Sequence, residues 1–221
     1  LPHYIRAASR LGIEDIELVT NGALLDSPEK VRPLAEAGLN KAFVSLHAHD
    51  ELLSRRATSK IGDWERSVRA IHAMVEAGVK VAVNHVITSL NYPYLPRFAD
   101  FVSDAWGGAV GISFAFVTPQ YRALERLALV PRYREVVPYL RGAMAALVRR
   151  RTRFTVGSRQ GVPPCLLGEY QGGSDVIAPP VQGLSCRFRT CYDTTLWPAT
   201  ITAGEWTSAE RAGSSFGVCA R

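Results

Sequence analysis

The chain has 221 residues, 47% of them hydrophobic and 21% charged, a balance that excludes disordered and fibrous classes and predicts a packed core. Its 26 basic and 20 acidic residues give a net charge of +6, and no apolar run approaches the length that spans a bilayer. No basic-then-apolar leader is present, so nothing argues for export and a cytoplasmic location is expected. The densest basic cluster, Arg149, Arg150, Arg151 and Arg153, falls at an expected helix end. There cations interact favourably with the carbonyl end of the helix dipole, so a helix-end reading is preferred to a nucleic-acid patch.

In chain order, Pro2–Leu11 reads as an amphipathic helix and Asp15–Thr20 as a buried strand closed by the turn Asn21-Gly22. Ser27 reads as an N-cap with Pro28 at the first helical position, and the helix that follows runs to a stop at Gly38. Lys41–Leu46 is the second strand. A helix over about Asp63–Ala77 carries Val68, Ile71, Met74 and Val75 at helical spacing and stops at Gly78. Val79–Thr88 is the third strand, Tyr94–Ala105 a helix, and Gly111–Val117 the fourth strand. A longer connection leads to a helix over Tyr133–Arg151 and a short fifth strand at Arg153–Val156. Strand and helix alternating with glycine stops, and strands that are almost continuously apolar, predict a parallel sheet covered by helices. The pattern alone leaves a barrel and an open doubly wound sheet both possible.

From Ser158 onward glycine, serine, threonine and proline become frequent and the periodicity fades. Residues 1–157 are therefore expected to form the α/β domain, and 158–221 a small appendage or a poorly ordered region. All four cysteines, Cys165, Cys186, Cys191 and Cys219, fall in that last part. Without an export signal, metal or cluster ligation is a better expectation for them than disulfides.

Ligands of parallel α/β folds bind at the carboxyl ends of the strands, so the polar residues there are the candidates. They are Thr20 and Asn21, Ser45, His47, His49 and Asp50, Asn84 and His85, and Ser113 with Thr118. Neighbours on a strand point to opposite faces, so only one of Asn84 and His85 can face the interior of the sheet. His47-x-His49 places two imidazoles on one face, as a metal site would, but no third ligand stands at a fixed spacing. The chain has no GxGxxG, P-loop, GxSxG or HExxH motif, which weakens the nucleotide-fold, hydrolase and protease readings.

Taken in order, IELVTNGALL, AGLNKAFVSLHAHD, IHAMVEAG and VKVAVNHVITSLNYPYL resemble the radical S-adenosylmethionine (SAM) family. Its members show a strand ending in Thr-Asn-Gly, a strand ending in Ser-Leu-Asp or Ser-Leu-His, then a helix and a strand with an internal polar residue. GVPPCLLG at 161–168 is similar to the sequence that follows the barrel in one branch. The resemblance covers roughly residues 1–170. It implies a partial (β/α)6 TIM-like barrel with a small cysteine-bearing C-terminal appendage. It also implies a [4Fe–4S] cluster held by a Cys-x3-Cys-x2-Cys loop, which cleaves SAM reductively to a 5′-deoxyadenosyl radical that abstracts hydrogen from a substrate. An electron donor such as a flavodoxin or ferredoxin is implied as partner.

Neither Cys-x3-Cys-x2-Cys nor the family's Gly-Gly-Glu motif occurs in the chain, so it is expected to be a fragment, inactive by itself, whose upstream part carries both. Carried over by position, Asn21, Ser45, Asn84 and Phe116 are the expected cofactor-binding residues, with His47 and His49 on the substrate side. Cys165, Cys186, Cys191 and Cys219 are the expected ligands of an auxiliary iron–sulfur cluster. Substrate identity is not readable, and a peptide or a small molecule fits equally. Two other readings stay open: a metal-dependent barrel enzyme using His47 and His49, and a non-catalytic cluster-binding subunit.

Overall fold

The computed structural model describes residues 1–58, 62–117, 121–156 and 166–167, with the side chains of residues 58, 121 and 122 left aside. The elements follow the expected alternation: α1 Pro2–Arg10, β1 Glu17–Thr20, α2 Pro28–Glu36, β2 Lys41–Ser45, α3 Glu51–Thr58 and α4 Asp63–Glu76. Then come β3 Lys80–Ile87, α5 Leu95–Trp106, β4 Val110–Phe116, α6 Tyr133–Arg149 and β5 Phe154–Val156.

The five strands form one parallel sheet in the order β1-β2-β3-β4-β5. A doubly wound sheet reverses its strand order at a switch point; this one does not. With right-handed crossovers, sequential parallel strands put every connecting helix on the same face, as in an arc of a barrel. The side chains agree. Ala42 and Val44, Val81 and Val83, Ile112 and Phe114, and Phe154 and Val156 are all buried on the helical side. There they pack with Leu34, Ile71, Met74, Phe98, Leu140 and Leu147. Residues of the opposite parity on these strands are mostly only partly buried, which leaves an open face.

Pro28 stands at the start of α2 as its sequence predicts, and Ser27 takes the extended N-cap backbone without a side-chain capping bond. Gly38 sits at φ +115°, and a Cβ there would lie 2.9 Å from the Cβ of Ser9. It thus ends α2 and lets the chain pass close to α1.

Besides the short 3-10 turns Tyr92–Tyr94 and Gly107–Ala109, two elements go beyond the sequence expectation. The first is α3, whose N-terminus is capped by Asp50 Oδ1 accepting the Leu53 N–H at 2.7 Å. The second is the 3-10 segment Tyr121–Leu129. Beyond β5 the chain returns to α6. Arg141 donates Nε and Nη2 to the Leu166 carbonyl at 3.2 and 3.0 Å, and Leu167 is buried. Apart from Leu166 and Leu167 the expected appendage lies outside the described residues, as do all four cysteines. Among the described residues, no helix is long and apolar enough to cross a membrane.

Candidate functional site

The registers place the open-face residues in rows. At the N-terminal end stand Glu17, Lys41 and Lys80; next come Val19, Phe43, Ala82 and Gly111. Further toward the carboxyl ends follow Ser45, Asn84, Ser113 and Thr155, aligned strand by strand, with Ser45 closing β2 and the other three standing within β3, β4 and β5. Parallel strands lie about 4.8 Å apart, so this row presents four hydrogen-bonding groups over roughly 14 Å. All four are partly buried, and none of the four side chains has a hydrogen-bond partner among the described residues. They stand free for a ligand. The row is neutral, and Val86 and Ala115 beyond it are apolar.

Asn84 and His85 divide as the pleat requires. Asn84 takes the open face, while His85 is buried under α5, its ring 4.0 Å from that of Phe98. Its Nδ1 lies 3.1 Å from the Leu46 carbonyl, an acceptor only, so Nδ1 carries the proton. Nε2 is left buried without a partner among the described residues. Burial above all, and then the neighbouring His47, pushes its pKa down to about 3.

His47 extends the open face past the end of β2. Its Nδ1 accepts the Val86 N–H at 3.2 Å, so the ring is neutral with its proton on Nε2. Desolvation pushes its pKa down to about 4. His49 pairs with Asp50 at 3.1 Å and stacks obliquely near Tyr94. The metal reading of His47, His49 and Asp50 finds little here: one nitrogen of each imidazole and both carboxylate oxygens are already engaged. Among the described residues no group of three His, Cys, Asp or Glu side chains is placed to hold a metal ion.

A cavity of about 130 Å³ opens at the carboxyl end of β1 and β2, lined by Asn21, Ser45, His47, Asp63, Trp64 and Ser67 among others. Asn21 is exposed, and its Oδ1 accepts the Ala23 N–H. The hydroxyl of Ser67 donates to the Asn21 carbonyl at 2.6 Å, which fixes the turn against α4. Phe116 lies on the helical side of β4, its ring 4.8 Å from that of Tyr133. A larger groove of about 420 Å³ between α2 and α4, lined by Arg32, Glu36 and Glu76 among others, includes no strand residue. We assign the site to the strand ends, because ligands of parallel sheets bind there.

Gly22 shows why the turn after β1 is Asn-Gly. It sits at φ +77°, and a Cβ would lie 3.0 Å from the Cβ of Ala70. Gly22→Ala is therefore expected to cost about 2 kcal/mol, from the left-handed backbone and the overlap together. Chemical denaturation checks this, and adding Ala70→Gly should return only the part due to overlap.

One residue that the sequence reading passed over holds the site together. Asn91 is 1% exposed. Its Oδ1 accepts the Thr88 N–H at 2.7 Å, and its Nδ2 donates to the carbonyls of Val86 at 2.9 Å and His47 at 3.1 Å. The only signal for it was an asparagine three residues beyond Thr88, a common local turn pattern.

Comparison with known proteins places this geometry in a class. Residues 1–102 match the model of the radical SAM superfamily and constitute a domain of that superfamily. The chain is distantly homologous to GTP 3′,8-cyclases. It is 38% identical over 97 residues to the probable GTP 3′,8-cyclase of Methanopyrus kandleri, covering 43% of this chain and 31% of that protein. With that of Methanocaldococcus jannaschii it shares 36% over 93 residues, covering 42% and 30%. The AdoMet-dependent heme synthase of Oleidesulfovibrio alaskensis is 31% identical over 90 residues, covering 41% and 23%. The chain thus spans about a third or less of the length of these relatives. A second model, Type VI secretion system TssF, matches residues 169–220, outside the described residues.

Proposed function

We propose that this chain supplies one wall of the active site of a radical SAM enzyme, with the row Ser45, Asn84, Ser113 and Thr155 facing SAM and substrate. The observation that carries the reading is the row itself: four neutral side chains, aligned across β2 to β5 on the open face and without a side-chain hydrogen bond among the described residues.

The residues fit the adenosyl portion of SAM, whose ribose and adenine offer uncharged donors and acceptors. Ser45 and Asn84 would hold these groups, with Asn21 at the rim of the same cavity. Ser113 and Thr155, one and two strands further on, would meet the substrate. They favour an uncharged hydrogen-bonding group there, because the open face carries no charged side chain at their level. His47, neutral and donating from Nε2, would stand at the substrate edge.

When bound, a reduced [4Fe–4S] cluster supplies the electron that cleaves the SAM sulfonium to a 5′-deoxyadenosyl radical, which takes a hydrogen atom from substrate. No described residue is a cysteine, so ligands for that cluster are not found among them. The role of Cys165, Cys186, Cys191 and Cys219 in an auxiliary cluster belongs to the same proposal, as does reduction by a flavodoxin or ferredoxin. The protein's task is to orient and to exclude water, and the apolar row beneath Ser45 and Asn84 serves the second purpose.

Asn84→Val keeps the volume and removes the amide. It is expected to weaken binding of S-adenosylhomocysteine about tenfold, the loss of one good hydrogen bond with its partner left unpaired. Titration calorimetry on the full chain checks this. Unchanged affinity in Asn84→Val, with Ser45→Ala equally silent, would place the nucleoside elsewhere.

A further inference from the structure

Trp64 lines the cavity among mostly polar neighbours. From it an aromatic series leads outward between α4 and α5. The ring centroids of Trp64 and Phe101 are 5.7 Å apart, those of Phe101 and Trp106 5.5 Å, and those of Trp106 and His72 5.1 Å. Trp64 and Phe101 are partly buried, Trp106 is buried, and His72 is exposed. The series thus connects the candidate site to solvent.

The two indoles differ in what their N–H groups meet. Trp64 Nε1 donates to the Ala48 carbonyl at 3.0 Å, and an amide oxygen is too weak a base to take the proton. Trp106 Nε1 donates to His72 Nδ1 at 3.1 Å, and an imidazole nitrogen is a competent base. An oxidised indole is a strong acid and a strong oxidant until it loses its proton. Trp64 would keep its proton and pass the hole on. Trp106 would lose its proton and keep the hole. The hydrogen bonds therefore set a direction, from the cavity outward.

We propose that Trp64, Phe101, Trp106 and His72 form an outlet that carries stray oxidising equivalents from the cavity to the protein surface. A one-electron oxidant in the cavity, of the peroxyl class that a carbon radical forms with dioxygen, takes an electron from Trp64 and a proton from solvent and leaves as a hydroperoxide. An electron then moves from Trp106 to Trp64 across the Phe101 ring, and the Nε1 proton of Trp106 passes to His72 Nδ1. The products are a restored Trp64, a neutral indolyl radical at Trp106 and an imidazolium at His72. A thiol or other one-electron reductant in solution returns the electron, and His72 returns the proton. Only the identity of the natural oxidant rests on the radical SAM reading; the relay stands or falls without it.

The test therefore uses an outside oxidant. Leu24, exposed on the loop that carries Asn21, is replaced by azidohomoalanine and coupled to a ruthenium tris-bipyridyl photosensitiser. The full chain also carries Trp197→Phe and Trp206→Phe, so that Trp64 and Trp106 are its only indoles. After flash-quench oxidation, transient absorption and electron paramagnetic resonance should show the neutral indolyl radical. Trp106→Phe and Phe101→Leu, both volume-tolerant changes whose folding is checked by circular dichroism, should abolish that species. His72→Leu should leave a protonated indole radical cation instead. A neutral radical that persists in Trp106→Phe or in His72→Leu would overturn the proposal, and so would an absence of indole oxidation in the parent.

Discussion

Replacing Asn91 by alanine is expected to destabilise the protein by about 4 kcal/mol, because the change leaves the Thr88 N–H and the carbonyls of His47 and Val86 without their partner. Asn91 is not a packing residue in the ordinary sense. Past Ser45 the β2 chain no longer pairs with β3 through regular backbone bonds alone. The Leu46 N–H still reaches the Asn84 carbonyl at 3.1 Å, and beyond that the junction is carried by side chains. His47 Nδ1 takes the Val86 N–H from one side, and the Asn91 amide takes both carbonyls from the other. Asn91→Asp tests the logic further. It keeps the acceptor for Thr88 but sets carboxylate oxygens against two carbonyls, so it should destabilise at least as much at neutral pH. Urea denaturation of both variants provides the check. A loss under 1 kcal/mol in Asn91→Ala would mean that water replaces the amide without cost.

The second large effect is acid lability well above the range where carboxylates protonate. His47 and His85 have pKa values held below the ordinary imidazole value, by desolvation in both cases. A group with a depressed folded pKa contributes stability above its unfolded pKa and loses it as pH falls toward the folded value. In the unfolded chain both rings protonate near pH 6.5, and in the native protein they resist doing so. Stability should therefore fall by roughly 3–4 kcal/mol between pH 7.5 and 5, with a slope approaching two protons. Most carboxylates are still ionised in that window, so the histidines dominate. His85→Leu should halve the slope. It should also lower the plateau at neutral pH, because the Leu46 carbonyl loses its donor. Denaturation curves at closely spaced pH values measure both. A flat profile down to pH 5 would show that the rings gain protons in the native state without penalty.

Much of the fold was legible because it rests on repeated local signals. The parallel alternation came from strands such as VKVAVNHVIT, apolar on both sides of a single polar break, and from helices closed by Gly38 and Gly78. The sequence pattern left barrel and open sheet undecided, since both share those periods. Strand order decides it, and strand order is a long-range property that no window of residues contains. α3 was missed for a different reason. ELLSRRAT exposes Leu52 at 71% and offers little apolar face, so its helix depends on the Asp50 cap and on tertiary contacts.

The site was partly legible. Asn84 stood out because an amide inside an apolar strand demands a partner, and the pleat then sent His85 to the other side. Ser45 was expected at the cofactor and Ser113 was a candidate, whereas Thr155 drew no notice until the register set them in one row with Asn84. Asn91 and Trp64 carried no sequence signal strong enough to single out. Their importance lies in what they touch: Asn91 joins segments 44 residues apart, and Trp64 meets the cavity from a helix.

The central claim is that the nucleoside of SAM lies against the open-face row of Ser45, Asn84, Ser113 and Thr155, and amide shift mapping of the isotopically labelled full chain with added SAM tests it most directly. The account predicts shifts concentrated at Asn21, Ser45, Leu46, Asn84 and Ser113, with Arg32 and Glu76 in the outer groove unmoved. Shifts centred on that groove between α2 and α4, or none at any concentration of SAM, would contradict it.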